Sequence, residues 1–462
     1  MTGPHARPRH RSRLLAGLLL AVVLSACGGE PSPTAVFSGS QVPASPSAAE
    51  SQGPIGRVVA APGSDSSVYP PNPGALVVAI DAGHGGCLDW GVPDPRQRGV
   101  GFSEKTMTLA IAQQLKALLE AQGVTVVMTR DGDVALAGDD YPDLGCHGPP
   151  WRDVNGDGES GFDPEGAVRT RDELQARLDL ANLARADVLV SIHVNSLTEN
   201  GVVFDIAATE TFYTDETAWG VDVTAPLAQA IQDGVVTEMD GVADYDRQDR
   251  GIEAQNLYIV APPLLKTTPD RPDPRKQPTR GALMPSVLTE VGSITHRAEQ
   301  DLLASESGQR AAALGIFDAL QQLFANRAAG AAYLLPAVEP APGTPPTAVD
   351  GDGPMFWAPQ VAAGPMTVRL TNTGNQPWPN DLTVAGAWEA SDQPYLRVPP
   401  KALVPLLDDA LPALAPGESV DVVISVPEAG TSGRLLGWIT LVDGTRAWTE
   451  MGIPPLQVAT GG

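Results

Sequence analysis

Val77-Val-Ala-Ile-Asp81-Ala-Gly-His84-Gly-Gly86 decides how the rest of this 462-residue chain is read. Apolar and β-branched positions run into Asp81, the pattern of a buried strand, and a histidine flanked by glycines follows where such a strand leaves its sheet. Glycine on either side lets the backbone turn sharply and leaves room for a ligand beside the ring, which a core histidine does not need. His84 therefore stands at a metal-ligand position; a plain strand-to-turn histidine is the alternative.

The same pattern returns further along. From Glu104 to Leu119 the residues Leu109, Ala112, Leu115 and Leu119 fall at helical spacing, with Ser103 and Glu104 at the N-terminus. The Glu104 carboxylate either complements the helix dipole or, close to His84, serves as an oxygen ligand. Val124 to Thr129 is a second strand, so strand, helix and strand form a βαβ unit with parallel pairing. An amphipathic helix around Leu174 to Ala184 leads into Ala186-Asp-Val-Leu-Val-Ser191-Ile-His193-Val-Asn195-Ser196, another buried strand ending at a histidine. Neighbouring parallel strands of an open α/β sheet place their carboxyl ends on one edge, which brings His84 and His193 together. Pro285-Ser-Val-Leu-Thr-Glu290-Val-Gly292-Ser293 is a third buried strand ending in an ionisable group, and a helix from Glu299 to about Phe324 closes the domain. Gly201 to Pro285 is harder to order. It holds apolar pieces at Val202 to Phe204 and Ala225 to Val236, then Asp249-Arg250-Gly251-Ile252, then a basic, proline-containing loop from Pro262 to Arg280.

At the start of the chain Arg7, Arg9, Arg11 and Arg13 precede an apolar run from Leu14 to Leu24, too short to span a bilayer, and then Leu24-Ser25-Ala26-Cys27. This reads as an export signal, residues 1–26, and its end resembles the lipobox of bacterial lipoproteins, with Cys27 as the lipidated residue. Removing 1–26 takes away four arginines and no acids, moving the formal charge from −25 to −29. Such acidity repels nucleic acid and anionic head groups, so a lipid on Cys27 is what would hold the protein at a membrane. Residues 27–74, rich in Ser, Pro, Gly and Ala, read as a flexible tether. Cys87 and Cys146 remain, and in an oxidising compartment they pair most simply with each other; Cys87 as a metal ligand is the other reading. From about 131 to 168 lies a Gly-, Asp- and Pro-rich insertion. Within it Asp153, Asn155, Asp157 and Glu159 match the front half of a calcium loop, whereas Pro164 stands where the closing glutamate belongs, leaving a solvated acidic turn as the alternative.

Asp81-Ala-Gly-His84-Gly-Gly, Glu104-Lys105 with its Leu-Ala-Ile-Ala helix, Ser191-Ile-His193-Val-Asn195-Ser196 and Leu288-Thr-Glu290-Val-Gly292 resemble, in this order, the zinc-dependent N-acetylmuramoyl-L-alanine amidases. The resemblance spans residues 75–327. It implies a mixed, largely parallel sheet flanked by helices, one zinc ion on His84, Glu104 and His193, Glu290 as the catalytic carboxylate, and hydrolysis of the amide between muramic acid and L-alanine in peptidoglycan. The chemistry is coherent on its own terms: two imidazoles and a carboxylate leave an open zinc position for water, and Glu290 is placed to shuttle the proton. Asn195 and Ser196 either support the site or cap the next turn. Arg250 either faces substrate carboxylates or forms a surface ion pair. His147 and His296 are weaker candidates as donors to the transition state.

Residues 328–354 read as a second linker. Beyond it, 355–462 carries Trp357, Trp378, Trp388, Trp438 and Trp448, and Val420-Val422-Ile424-Val426 alternates strictly, the signature of a β-sandwich. Leu370-Thr-Asn-Thr-Gly-Asn-Gln-Pro-Trp378 resembles tryptophan-rich immunoglobulin-like domains. Its tryptophans are core residues on the simpler reading and a glycan- or protein-binding face on the other. The expected protein is an exported, membrane-anchored amidase on the extracytoplasmic side. Its rivals are a catalytically silent peptidoglycan-binding adaptor and a zinc peptidase cutting within the stem peptide.

Overall fold

The computed structural model describes residues 72–156, 171–199, 202–262, 280–348, 355–391, 402–430 and 433–460. The export segment with Cys27, the acidic positions Asp157 and Glu159, and most of the basic loop after Pro262 lie outside these residues. In chain order the first domain comprises β1 (Val77–Ala82), α1 (Glu104–Ala121), β2 (Thr125–Met128), α2 (Arg171–Leu183), β3 (Val188–Asn195), a short hairpin of β4 (Thr198–Glu199) and β5 (Val202–Val203), β6 (Ala208–Tyr213), α3 (Ala225–Asp240), β7 (Gln248–Ala254), β8 (Ser286–Ser293), α4 (Arg297–Leu303) and α5 (Glu306–Asn326). The sheet order is β2-β1-β3-β8-β6-β7. The first four strands are mutually parallel, β6 runs antiparallel to β8, and β7 is parallel to β6.

Every residue of β1 and β8 is buried, which is why these strands read as continuous runs rather than alternations. Alternate side chains serve opposite layers. Val78, Ile80 and Ala82 join Met107, Ile111 and Leu115 of α1 and the apolar faces of α3 and α5, while Val77 and Ala79 pack with Ala176, Leu180 and Leu183 of α2. The register sets Asp81 beside Ser191 and His193 beside Glu290, so three strand ends meet at one edge. The single closing helix expected from Glu299 is two. Ser305 caps α5 by accepting the Gly308 N–H, and His296 caps α4 through Nδ1, 3.3 Å from the Glu299 nitrogen. His296 is thus a structural cap, and His147 is exposed in the insertion.

The second domain holds β9 (Ala331–Leu334), β10 (Gln360–Val361), β11 (Gly364–Asn372), β12 (Thr383–Ala390), β13 (Val404–Pro405), β14 (Ser419–Val426), β15 (Leu435–Asp443), β16 (Arg446–Ala447) and β17 (Leu456–Thr460). Two sheets form, β10-β17-β15-β12-β13 with β16 beside β15, and β14-β11-β9. The expected linker at 328–354 is therefore corrected: β9 pairs antiparallel with β11, and the sandwich begins at Ala331. Trp378 and Trp448 meet edge to face, 5.7 Å between centroids, in the sandwich core. Trp438 faces the other way. With Phe356, Leu436 and Ala459 it packs into the layer formed by Val77, Ala79 and α2, so the sandwich covers part of the first domain's sheet. The ion pairs Arg185–Glu339 (2.8 Å) and Arg327–Asp187 (2.5 Å) flank this junction.

Candidate metal centre

Past Ala82 the Gly83 N–H still pairs with the Ile192 carbonyl, and then the chain turns. His84 adopts φ 63°, a left-handed conformation that a non-glycine residue holds only when its surroundings impose it. Two buried arginines impose it here. Arg177 donates from Nη1 to Asp81 Oδ1 (2.8 Å) and the Ala82 carbonyl (2.7 Å), and from Nη2 to the His84 carbonyl (2.7 Å) and Glu173 Oε1 (2.8 Å). Arg130 donates to the carbonyls of Ala82 (2.8 Å), Gly83 (3.0 Å) and Lys105 (2.7 Å). Burial alone would raise the Asp81 pKa, but Arg177 and the hydroxyls of Ser191 and Thr129 hold it down at about 2. Replacing Arg177 by Met should cost about 3–5 kcal/mol, because Asp81 and Glu173 are left buried without their cation. Urea unfolding measures this, and a change below about 1 kcal/mol would contradict the account.

The His84 ring is fixed from behind. Its Nδ1 lies 2.7 Å from Asp89 Oδ1, which also accepts the Gly91 N–H, and this leaves Nε2 for the site. Glu104 opens α1 with its side chain buried. Its Oε2 accepts the Val92 N–H (2.8 Å), and its Oε1 accepts the Val194 N–H (3.0 Å). The same Oε1 lies 3.2 Å from His84 Nε2 and 3.1 Å from His193 Nδ1. One ligand atom from each of His84, Glu104 and His193 falls within 4.8 Å of the others. Burial acts to lower the His84 pKa, yet Asp89 and Glu104 overturn this and hold it well above the usual imidazole range. Burial acts to raise Glu104, and His84 and His193 pull it far below the carboxylate range.

These residues fit a divalent cation. Two imidazoles and a carboxylate are a borderline-soft donor set of the zinc type. The space beside them is kept clear: a Cβ on Gly83 would lie 2.5 Å from the His193 ring, and one on Gly91 would meet the Glu104 carboxylate and the His84 ring. Glu290, on the strand next to His193, is also buried, and its Oε2 has no hydrogen-bond partner among the described residues, an expensive state for a carboxylate without a further ligand. Burial, then the negative charge of Glu104 and Glu210, raises its pKa well above the ordinary value; a bound cation acts against that shift.

Of the other candidates, Arg250 lies on β7, two strands from β8 with β6 between; its Nε donates to Glu210 Oε2 (2.9 Å), and Glu210 stands opposite Glu290 in the sheet. The Asn195 carbonyl accepts the Ile294 N–H, and Ser196 Oγ lies 3.3 Å from Thr198 Oγ1, where the chain enters the β4–β5 hairpin. Cys87 and Cys146 are joined as a disulfide, 5.8 Å between Cα atoms, so Cys87 is not a thiolate ligand. Asp153 and Asn155 are away from the centre: Asp153 Oδ1 accepts the Gly156 N–H, and the Val154 and Asn155 N–H groups donate to Asp172. The sequence reading missed Asp89, Arg130 and Arg177. Only Arg177 left a signal, since in sequence it falls on the apolar stripe of α2, at i+3 from Leu174 with Leu178 and Ala181 at i+4 and i+7, and α2 is buried at every residue but Leu174.

Residues 78–322 match the family described as N-acetylmuramoyl-L-alanine amidase. An uncharacterised protein of Bacillus subtilis, YqiI, is 26% identical over 247 residues, 54% of this chain and 84% of that protein. The germination-specific N-acetylmuramoyl-L-alanine amidase of the same organism is 23% identical over 251 residues, 54% of this chain and 81% of that one. Among solved structures, N-acetylmuramoyl-L-alanine amidase AmiC2 of Nostoc punctiforme aligns at 26% identity over 54% of this chain and 97% of its own, with a TM-score of 0.35.

Proposed function

Since the chain belongs to the N-acetylmuramoyl-L-alanine amidase family and is a peptidoglycan hydrolase, we propose that it works with one zinc ion on His84, Glu104 and His193 and with Glu290 as its proton shuttle. The observation that carries this reading is the convergence of three donor atoms within 4.8 Å beside a buried carboxylate oxygen that has no hydrogen-bond partner among the described residues. Zinc bound there supplies a Lewis acid that brings the pKa of water to roughly 7 and polarises the amide carbonyl. Glu290 accepts the proton of the attacking water and returns it to the nitrogen, which departs poorly until protonated. Asp89 holds His84 with Nε2 toward the site, while Arg130 and Arg177 fix the turn beneath it, so the ligands need little rearrangement during the reaction.

Arg250, steadied by Glu210 and partly exposed, offers a cation to the carboxylates of the stem peptide. Asn195 and Ser196 secure the strand end that carries His193. The sandwich is read as immunoglobulin-like. Its buried Trp378, Trp438 and Trp448 favour a structural role for these aromatics over a glycan-binding face. The apolar run Leu14 to Leu24 and Leu24-Ser-Ala-Cys27 support export and a lipid on Cys27, with the stretch before Pro73 as a tether toward the wall. Among the described residues no helix is long and apolar enough to cross a membrane.

Metal removal tests the cofactor. Hydrolysis of purified peptidoglycan should stop after dialysis against a chelator and return on addition of zinc. Full activity in protein that metal analysis finds free of zinc and other transition metals would refute the metal reading.

A further inference from the structure

Trp90 belongs to the loop that builds the metal centre, and no role described so far uses it. The residue is 37% exposed, although the groups around it are tied down. The Nε1–H donates to the Cys87 carbonyl (2.7 Å), Lys105 Nζ sits 4.5 Å from the ring centroid, and the Trp90 carbonyl accepts the Lys105 N–H (3.3 Å). Lys105 is itself buried, held by the Gly86 carbonyl (2.6 Å) and Asp133 (2.8 Å), and the Cys87–Cys146 disulfide anchors the same turn. One face of the indole is therefore backed by a fixed cation, its polar edge is occupied, and its outward side is open. The next residue, Gly91, lies directly against His84 and Glu104, and the Val92 N–H is bonded to Glu104 Oε2. A rigid, open aromatic surface thus stands one residue from the metal ligands.

We propose that Trp90 is a stacking platform for a pyranose ring of the glycan strand. The inference rests on the amidase reading above. The bond cleaved in that reading joins the peptide to a short acid arm on a sugar, so a sugar ring must lie close to the metal while the amide is positioned. The axial C–H groups of a pyranose carry small positive charges and suit the negative face of an indole. A ring that is already immobilised loses little side-chain entropy when it takes up a ligand.

The test uses the full chain carrying Glu290→Gln and measures, by calorimetric titration, the dissociation constant for a soluble disaccharide muropeptide and for the free stem peptide, with zinc content determined in parallel. Adding Trp90→Ala should weaken muropeptide binding by about five- to tenfold and move stem-peptide binding by less than about twofold, with zinc retained. Trp90→Phe, which keeps an aromatic face without the N–H, should restore most of the affinity. Unchanged muropeptide affinity in Trp90→Ala overturns the proposal. So does an equal loss in the Ala and Phe variants, which assigns the effect to the bond with Cys87, an equal loss for the free peptide, which puts the indole against the peptide, or a loss of zinc, which makes it scaffold. Product analysis of the unmodified protein separates this from the parent reading. If no L-alanine amine is released the amidase reading fails; if it is released and Trp90→Ala binds normally, stacking alone fails.

Discussion

Glu290→Gln should retain zinc and lose hydrolysis by at least about a hundredfold, a barrier increase of about 2.7 kcal/mol. Glutamine has nearly the shape of glutamate, so β8, whose residues are all buried, keeps its packing and its register with His193. What disappears is the group that takes the water proton and delivers it to nitrogen. The carboxylate also stands in the sheet between two other acids, Glu210 opposite it on β6 and the Glu104 carboxylate near His193, so neutralising it relieves repulsion rather than creating it. With the metal removed, the variant should therefore be at least as stable as the parent in thermal unfolding. Turnover within a few-fold of the parent, with zinc bound, would remove Glu290 as the proton shuttle.

His193→Ala is the second large effect, of a different kind: zinc should be lost along with activity. Perturbing the partner of a metal-bound histidine already weakens binding by roughly 10- to 100-fold, and deleting a ligand should exceed that. With the imidazole gone, His84 and Glu104 remain as two ligands, and the space that Gly83 leaves for the ring is empty. Zinc affinity by competition with a chromophoric chelator, with circular dichroism to confirm folding, reads the effect. Full zinc occupancy in a folded His193→Ala protein would refute the ligand assignment.

The parts of the molecule legible in the sequence are those where local chemistry and tertiary role coincide. β1, β3 and β8 are largely buried on both faces, and each carries an ionisable residue near or just past its carboxyl end, so apolar runs leading to His84, His193 and Glu290 disclosed both the sheet and its working edge. β6 was hidden because Ala-Thr-Glu-Thr-Phe-Tyr buries polar residues that tertiary partners satisfy, as Gln232 does for Thr211. β7 begins Gln-Asp-Arg-Gly and is largely exposed, so it carries no apolar signal. Ala331–Leu334 lies in an Ala-, Pro- and Gly-rich stretch and becomes a strand through pairing with β11, not through its own propensity. The scaffold of the metal centre is the least legible part. Arg177 and Asp81 are 96 residues apart, and a charge buried by so distant a partner looks in sequence like any surface charge.

The central claim is most directly tested by mass spectrometry of the products released from purified peptidoglycan. The account predicts stem peptides bearing a free L-alanine amine, together with glycan strands stripped of peptide. Fragments cut between residues of the stem peptide, with the link between muramic acid and L-alanine intact, would contradict it.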